Sequence, residues 1–486
     1  MRRVFAIGLG CVFACGAYSE NLLTVYDQAV TNDPQLREAN ANRLAAREAR
    51  PQALAILLPQ VSGTASYQKD VREGPSIQAT IFNGQIVTFD ASGKQDATVK
   101  LWNIGLRQNV FSWSNWATLK RADRQVAQAE ADYKSAEQSL MQRVAQAYFN
   151  VLTTVDNLSA QQAALESISR QFDQADKRYE VGLIAITDVE QAKAARDSGA
   201  AAVIDAKRQL ATAQDALREI TGTKYDVLAR PAADIPLKSP EPADEERWVA
   251  TSMDQNLALL SSHLAADIAR ENVSVAFGGH LPSLDLLANR SRTKSDAAFD
   301  PTGSSFSVPA DSDIKDRQYT LQLTVPLFSG GFTQSQVRQS QYLWIAAKER
   351  LERTSRATER QARDAYLSVL SEISRVNALK QALESSSTAL KATEAGYEVG
   401  TRTAVDVLDA RRTLVQAQTN FSAARYNYIL NIVALRLAAG NLERGTLQEI
   451  NGWLDQTVPI SPAAATLENT PPPGAPPPTT PPPPAR

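Results

Sequence analysis

The four residues Tyr-Glu-Val-Gly occur twice in this chain, at 179–182 and at 397–400, separated by 218 residues. Six residues after each glycine the dipeptide Asp-Val follows, first at Asp188 and again at Asp406. The string AYFNVL at 147–152 returns at the same separation as AYLSVL. Several matches in one order at nearly one offset indicate a duplicated unit of about 220 residues, so two repeats are expected to build the fold.

Long helical segments precede both copies of Tyr-Glu-Val-Gly. From Leu119 onward apolar residues recur at alternating steps of three and four, which is the period of a coiled coil, and the second repeat keeps this rhythm. A helix over 113–180 would be about 100 Å long, and a similar one is predicted over 331–398. Because no compact globular domain accommodates such a helix, we expect an elongated molecule.

The glycines of the two strings are predicted to end these helices. A helix commonly ends at a residue with a left-handed backbone, which favours glycine, so Gly182 and Gly400 are expected at the turns. A further helix of about 35 residues follows each turn. Thr187 or Asp188 is expected to cap the first of these helices.

Segments with alternating polarity precede each long helix. Apolar and polar residues alternate over 102–107 and over 319–325, and less regular strands are predicted near 59–68 and 282–292. Such strands suit an ordinary two-faced sheet or a transmembrane β-barrel. The leader described next and the lack of a globular core favour the barrel. Four strands cannot close a barrel, so several chains would have to share one.

The first nineteen residues have the organisation of a signal peptide. Two arginines precede an apolar stretch that is too short to span a bilayer, and small residues end at Ser19. A competing interpretation makes Cys15 the acylated residue of a lipoprotein. Both interpretations place the mature protein outside the cytoplasm.

Composition argues against several classes of protein. The 486 residues carry 51 Lys+Arg and 53 Asp+Glu, a balance that gives no basis for nucleic-acid binding. Both cysteines lie in the leader, and His263 and His280 are the only histidines, which excludes thiol catalysis and a typical His/Cys zinc site. Phosphate-binding glycine loops are also lacking. We therefore expect no enzyme activity, no metal and no cofactor.

Longer strings resemble the TolC family of outer-membrane efflux and type I secretion channels. They are ENL at 20–22, the stretch 179–189, GYEVGTRTAVDVLDA at 396–410 and ARYNY at 424–428. The resemblance covers nearly the whole mature chain. It implies an α+β membrane protein and a homotrimer. Four β-strands per chain would build a 12-stranded outer-membrane β-barrel, continuous with a long α-helical coiled-coil tunnel in the periplasm.

The resemblance also implies the partners and the location. A periplasmic adaptor (membrane fusion) protein and an inner-membrane pump of the RND, ABC or MFS type would deliver cargo, and outer-membrane lipid would surround the barrel. The protein would then conduct drugs or exported proteins passively to the exterior of a Gram-negative cell. The alternative is a purely structural coiled-coil envelope protein. Alternating strands at equivalent points of both repeats favour the duct, because a filament does not need them.

Two aspartates are candidates for the constriction of such a duct. Asp406 and Asp409 are three residues apart, so on a helix both carboxylates face one way, and three copies would form stacked acidic rings that prefer cations. By similarity to the family they are the constriction rings. The alternative is that such aspartates only complement the dipole at a helix start. Arg411 and Arg412 follow shortly after, and Arg412 is within i,i+3 reach of Asp409 and could partly neutralise the lower ring.

The entrance itself has four further candidates. By similarity to the family, Arg402 and Tyr397 hold the entrance closed through contacts with Thr187, Asp188 and their neighbours. Charge-assisted hydrogen bonds of this kind could latch a tube that a partner protein must open.

The predicted organisation has a signal peptide, two repeats, two equatorial segments of mixed structure and a tail in which 11 of the last 26 residues are proline. The signal peptide is 1–19, the equatorial segments are 223–247 and 441–460, and the disordered tail is 461–486. Repeat 1 covers 20–222 and has a helix, strands near 59–68 and 97–111, the long helix 113–180 and a helix over 187–222. Repeat 2 covers 248–440 and has a helix, strands near 282–292 and 317–328, the long helix 331–398 and a helix over 404–439.

Overall fold

The computed structural model describes residues 20–74, 77–90, 93–232, 235–301, 308–309 and 311–460. The predicted signal peptide and proline-rich tail lie outside these residues. The chain divides into two compact units. We call Met1–Ala39, Lys134–Asn256 and Ala357–Arg486 the helical unit, and Asn40–Tyr133 and Leu257–Arg356 the strand unit.

Helices account for most of the described residues. None of the helices within the described ranges is both long and apolar enough to cross a lipid bilayer. They are α1 (Leu22–Asn32), α2 (Pro34–Arg47), α3 (Ala49–Leu57), α4 (Trp113–Glu180), α5 (Ile186–Thr221), α6 (Glu245–Gln255), α7 (Leu257–Phe277), α8 (Phe332–Glu398), α9 (Ala404–Ala438) and α10 (Arg444–Asn451).

The start of the mature chain contains more helix than its sequence predicts. Asn21 caps α1 by accepting a hydrogen bond from the Thr24 N–H at 2.9 Å. Asp33 caps α2 by accepting from the Leu36 N–H at 2.9 Å, so Pro34 stands at the first position of α2, where proline loses no hydrogen bond. Two capping residues in succession therefore divide this region into separate helices.

The strands are β1 (Gln60–Gly74), β2 (Ile77–Phe82), β3 (Gln85–Asp90), β4 (Gly93–Ser112), β5 (Val227–Pro231), β6 (Ser283–Pro301), β7 (Val308–Pro309), β8 (Ser312–Thr324) and β9 (Leu454–Pro459). In the strand unit, β1, β4, β6 and β8 form an antiparallel sheet in that order, and β7 also pairs with β6. Among the described strands β1 pairs with β4 alone and β8 with β6 alone, so each has one unpaired side and forms an edge of the sheet.

These strands differ in length from those predicted. β4 and β6 continue past the predicted ends into charged sequence, where alternation is lost but the backbone ladder persists. At the predicted end of β6, Arg292 pairs across the strands with Asp313 of β8 at 2.6 Å. β8 ends at Thr324 rather than near residue 328, because Pro326 has no N–H to donate to a ladder.

A segment predicted to be only a polar loop contains a β-hairpin. β2 and β3 pair around Asn83 and Gly84, whose φ angles are 52° and 78°. Two successive residues with positive φ are the requirement of a tight hairpin turn, and Asn-Gly is its preferred sequence.

The sheet of β1, β4, β6 and β8 has one apolar and one polar face. The apolar face is solvent-exposed in the single chain, with Tyr319 at 80% and Leu321 at 65% exposure. The polar face lines a cavity of about 690 Å³, and its lining includes Asn103, Asn289 and Gln318. A two-faced sheet of this kind separates an apolar environment from an aqueous one.

The helical unit has a core of aromatic side chains where its long helices meet β5 and β9. The Phe149 ring packs edge-on against Tyr148 and stacks on Tyr426 at 5.8 Å between centroids. Tyr148 and Phe149 are fully buried, and the Tyr426 hydroxyl donates to Asp156 at 2.9 Å. The antiparallel pair of β5 and β9 falls within the two predicted equatorial segments.

Candidate functional site

The two Tyr-Glu-Val-Gly strings form the turns of two helix hairpins. We call α4–α5, joined by 181–185, the first hairpin, and α8–α9, joined by 399–403, the second hairpin. Gly182 and Gly400 have φ angles of 75° and 79°, and each backbone N–H donates to the carbonyl of the tyrosine three residues earlier. Glycine adopts positive φ without a Cβ penalty, so the same residue makes the same turn twice.

The first hairpin is held by apolar packing. Ala175 of α4 and Val189 and Ala192 of α5 form a buried cluster, and Phe172 and Ile184 pack against it. This packing continues on the surface, where the Arg196 guanidinium lies 4.5 Å from the Phe172 ring centroid.

The start of α5 corrects the predicted cap. The cap position is Ala185, which makes no side-chain capping hydrogen bond, so neither Thr187 nor Asp188 caps the helix. Both lie in the first turn because α5 begins at Ile186. There Asp188 is placed to complement the helix dipole.

The second hairpin is capped by a reciprocal pair. The Asp406 N–H donates to the Thr403 hydroxyl at 3.2 Å, and the Thr403 N–H donates to the Asp406 carboxylate at 2.9 Å. The hydrogen bonds from the Thr403 N–H and hydroxyl, and then the charge of Arg402, hold the pKa of the Asp406 carboxyl below its usual value. Within one chain Asp406 is therefore an ionised helix-capping residue.

Asp409 lies one turn further along α9 and is exposed. Its carboxylate is 3.7 Å from the Arg412 guanidinium, with side-chain exposures of 65% and 78%. The predicted i,i+3 contact is thus present, and it lies in water, where such a pair attracts weakly.

The remaining entrance candidates have other neighbours in the described part of the chain. Tyr397 contacts the Arg178 guanidinium, which lies 5.5 Å from its ring centroid. Arg402 folds back over Gly396, where a Cβ would be 2.8 Å from its Cγ. Among the contacts of the described residues, no hydrogen bond or ion pair joins Arg402 to Thr187 or Asp188.

Arg411 has partners that sequence reasoning did not identify. Its guanidinium pairs with Glu394 of α8 and donates to the Ser167 hydroxyl of α4. Its inward orientation could have been anticipated, because Arg411 is four residues after the buried Val407 and so shares its helix face.

Known proteins share both the sequence and the fold. Residues 25–223 and 248–441 match the family described as "Outer membrane efflux protein". The chain is 35% identical to the outer membrane protein TolC of Escherichia coli over 95% of this chain and 91% of that protein. It is 26% identical to the alkaline protease secretion protein AprF of Pseudomonas aeruginosa, over 89% and 87% of the two chains.

A solved structure agrees on the fold. The outer membrane protein VceC of Vibrio cholerae superposes with a TM-score of 0.68 at 21% identity, covering 87% of this chain and 97% of that one. At that identity the likeness shows the fold alone, while the family match covers most of the chain. The chain therefore belongs to the outer membrane efflux protein family, the TolC family, whose members are outer-membrane channels.

Proposed function

We propose that three copies of this chain form one passive channel through the outer membrane, with its entrance at the two hairpins. Family membership supports an exit duct of the Gram-negative outer membrane that serves efflux and type I secretion. In this proposal each chain contributes two similar repeats. The equatorial segments, with the β5–β9 pair, form a belt around the helices.

The sheet of the strand unit carries this proposal. Its apolar face is exposed and its polar face lines a cavity, an arrangement that suits lipid outside and water inside. Both β1 and β8 remain sheet edges within one chain. Unpaired edges cannot face lipid, so pairing β1 of one copy with β8 of the next would close a 12-stranded barrel.

Acidic rings at the entrance would set ion preference. In a trimer, three copies of Asp406 and three of Asp409 would surround the axis on successive turns of α9. Asp406 is held ionised by its cap, whereas Asp409 has Arg412 beside it. We propose that the Asp406 ring is the stronger cation site.

A latch between copies would keep the entrance narrow. Since no hydrogen bond or ion pair among the described residues joins Arg402 to Asp188, the proposed contacts of Arg402 and Tyr397 with Thr187 and Asp188 would form where neighbouring hairpins meet. A periplasmic adaptor with its inner-membrane pump would break them. Exposed apolar side chains at the turns, Val181 at 69%, Leu183 at 73% and Val399 at 76%, offer it a contact surface.

Planar-bilayer recordings of the purified protein test this function. We expect a small, cation-preferring conductance that multivalent cations block from the hairpin side. Asp406→Ala with Asp409→Ala should weaken that block by roughly tenfold, because both acidic rings are lost. The matched control is Asp197→Ala, an exposed aspartate of α5 that pairs with the adjacent Arg196.

Two outcomes would contradict the proposal. Absence of any conductance would favour the purely structural coiled-coil envelope protein. A conductance whose ion preference and block survive the double substitution would place the constriction elsewhere.

A further inference from the structure

Arg411 and Arg412 are neighbours in sequence that face different surroundings. The Arg412 side chain is 78% exposed, and its carboxylate partner is Asp409 on its own helix. The Arg411 side chain is 12% exposed and lies on the helix face of Val407, which is 3% exposed. One arginine is thus outward and the other inward, although both carry the same charge.

The guanidinium of Arg411 contacts two other helices. One terminal nitrogen pairs with the carboxylate of Glu394, close to the end of α8. The other donates to the hydroxyl of Ser167 on α4. Because α8 and α9 form the second hairpin and α4 belongs to the first, a single side chain joins the two hairpins.

The space beside Arg411 lacks dense apolar packing. A cavity of about 360 Å³ lies between α4, α5 and α9, and both arginines line it, but only Arg411 pairs with residues of other helices. Ile168, Gly199 and Leu408 border it together with polar side chains. Helices with a gap between them make fewer van der Waals contacts with each other. The polar contacts of Arg411 therefore contribute correspondingly more to holding α9 against α4.

The first hairpin has no equivalent contact among its described residues. The residue 218 positions before Arg411 is Lys193, whose side chain is 50% exposed and lies 4.0 Å from Glu190 of the same helix. At the level of Arg411 the second hairpin supplies the contact, whereas nearer the turns Arg178 of the first hairpin contacts Tyr397.

We propose that Arg411 ties the second hairpin to α4 and must release Glu394 or Ser167 when the entrance widens, whereas Arg412 only tunes the charge of the Asp409 ring. This inference rests on the proposed channel function. Glu394 is 39% exposed, but the Arg411 side chain is only 12% exposed, so moving Glu394 away would leave a largely buried positive charge unpaired. The tie thus favours the closed arrangement and opposes small displacements of α9.

Substituting the two neighbouring arginines separately tests the tie. Arg411→Gln should raise single-channel conductance about threefold or more and speed hydrogen exchange of the amides over 404–412, with the preference for cations kept. Arg412→Gln should leave hydrogen exchange over 404–412 at the wild-type rate while strengthening block by multivalent cations. Glu394→Gln removes the same ion pair from the other side and should reproduce the Arg411→Gln result. The double variant Arg411→Glu with Glu394→Arg swaps the two charges and should return hydrogen exchange over 404–412 toward the wild-type rate.

The exchange measurement separates this inference from the proposed function. If the wild type conducts no ions, the channel function fails, while exchange over 404–412 still reports on the tie. The tie would be overturned if hydrogen exchange over 404–412 stayed at the wild-type rate in both Arg411→Gln and Glu394→Gln. It would also be overturned if Arg411→Gln and Arg412→Gln changed that exchange equally. If Arg411→Gln does not assemble, Glu394→Gln, which keeps the arginine, decides the question.

Discussion

The two hairpins share a turn but differ in what holds their helices together. Gly182 and Gly400 have nearly the same backbone conformation, and equivalent hydrogen bonds surround them. The first hairpin is held by a buried apolar cluster, and its second helix, α5, starts without a side-chain cap. The second also buries apolar side chains, Leu390 and Val407, and adds the Thr403–Asp406 capping box and the partners of Arg411.

This difference has a physical consequence for movement. Apolar packing is close, so displacing a helix from a buried cluster loses many weak contacts at once. Ion pairs and capping bonds have defined geometry and are lost when a helix moves by a few ångströms. Under the proposed function, the second hairpin would be the gated part and the first hairpin its support.

The largest expected effect comes from placing a charge in the apolar cluster. Val189→Asp should destabilise the first hairpin by about 3 kcal/mol, because Val189 is 6% exposed and a carboxylate there would be unpaired. Hydrogen exchange should accelerate over 186–200 and stay unchanged over 404–412. Ile186→Asp, at a position that is 48% exposed in the same turn, is the control and should have little effect. Equal acceleration in both hairpins would show that they are not held independently.

Smaller changes in local stability are expected from removing the cap of α9 and from adding a cap to α5. Thr403→Ala removes the hydroxyl that caps α9 and should cost about 1 kcal/mol of local stability. Ala185→Thr should stabilise the start of α5 by a similar amount, since Ala185 already has the extended backbone of a cap residue. Local exchange in each hairpin measures both changes. A loss of stability on adding the threonine would contradict the uncapped description of α5.

Sequence reasoning recovers the periodic parts of this fold best. The long helices follow from a heptad-like pattern sustained over many turns, and α4 and α8 begin and end within a residue of the predicted bounds. The sheet is harder to predict, because β4 and β6 extend through charged sequence that has no alternation. The β2–β3 hairpin does carry a local signal, because the dipeptide Asn83-Gly84 at its turn is typical of a tight hairpin.

The site is predictable only where partners are close in sequence. The spacing of Asp409 and Arg412 is enough to predict their contact, and Thr403 with Asp406 fits a capping box. The partner of Arg411 on α4 is Ser167, 244 residues away along the chain. No local pattern encodes which turn of α4 faces which turn of α9, so this contact required the packed structure.

The conductance of the Arg402→Ser variant tests the central claim that polar contacts of the second hairpin keep the entrance closed. Single channels of the variant should conduct several times more than wild-type channels, because the proposed charge-assisted hydrogen bonds of Arg402 between copies would be lost. Lys193→Ser, which removes an exposed cation from the first hairpin, should leave conductance unchanged. A wild-type conductance in Arg402→Ser, or an equal increase in Lys193→Ser, would contradict the account.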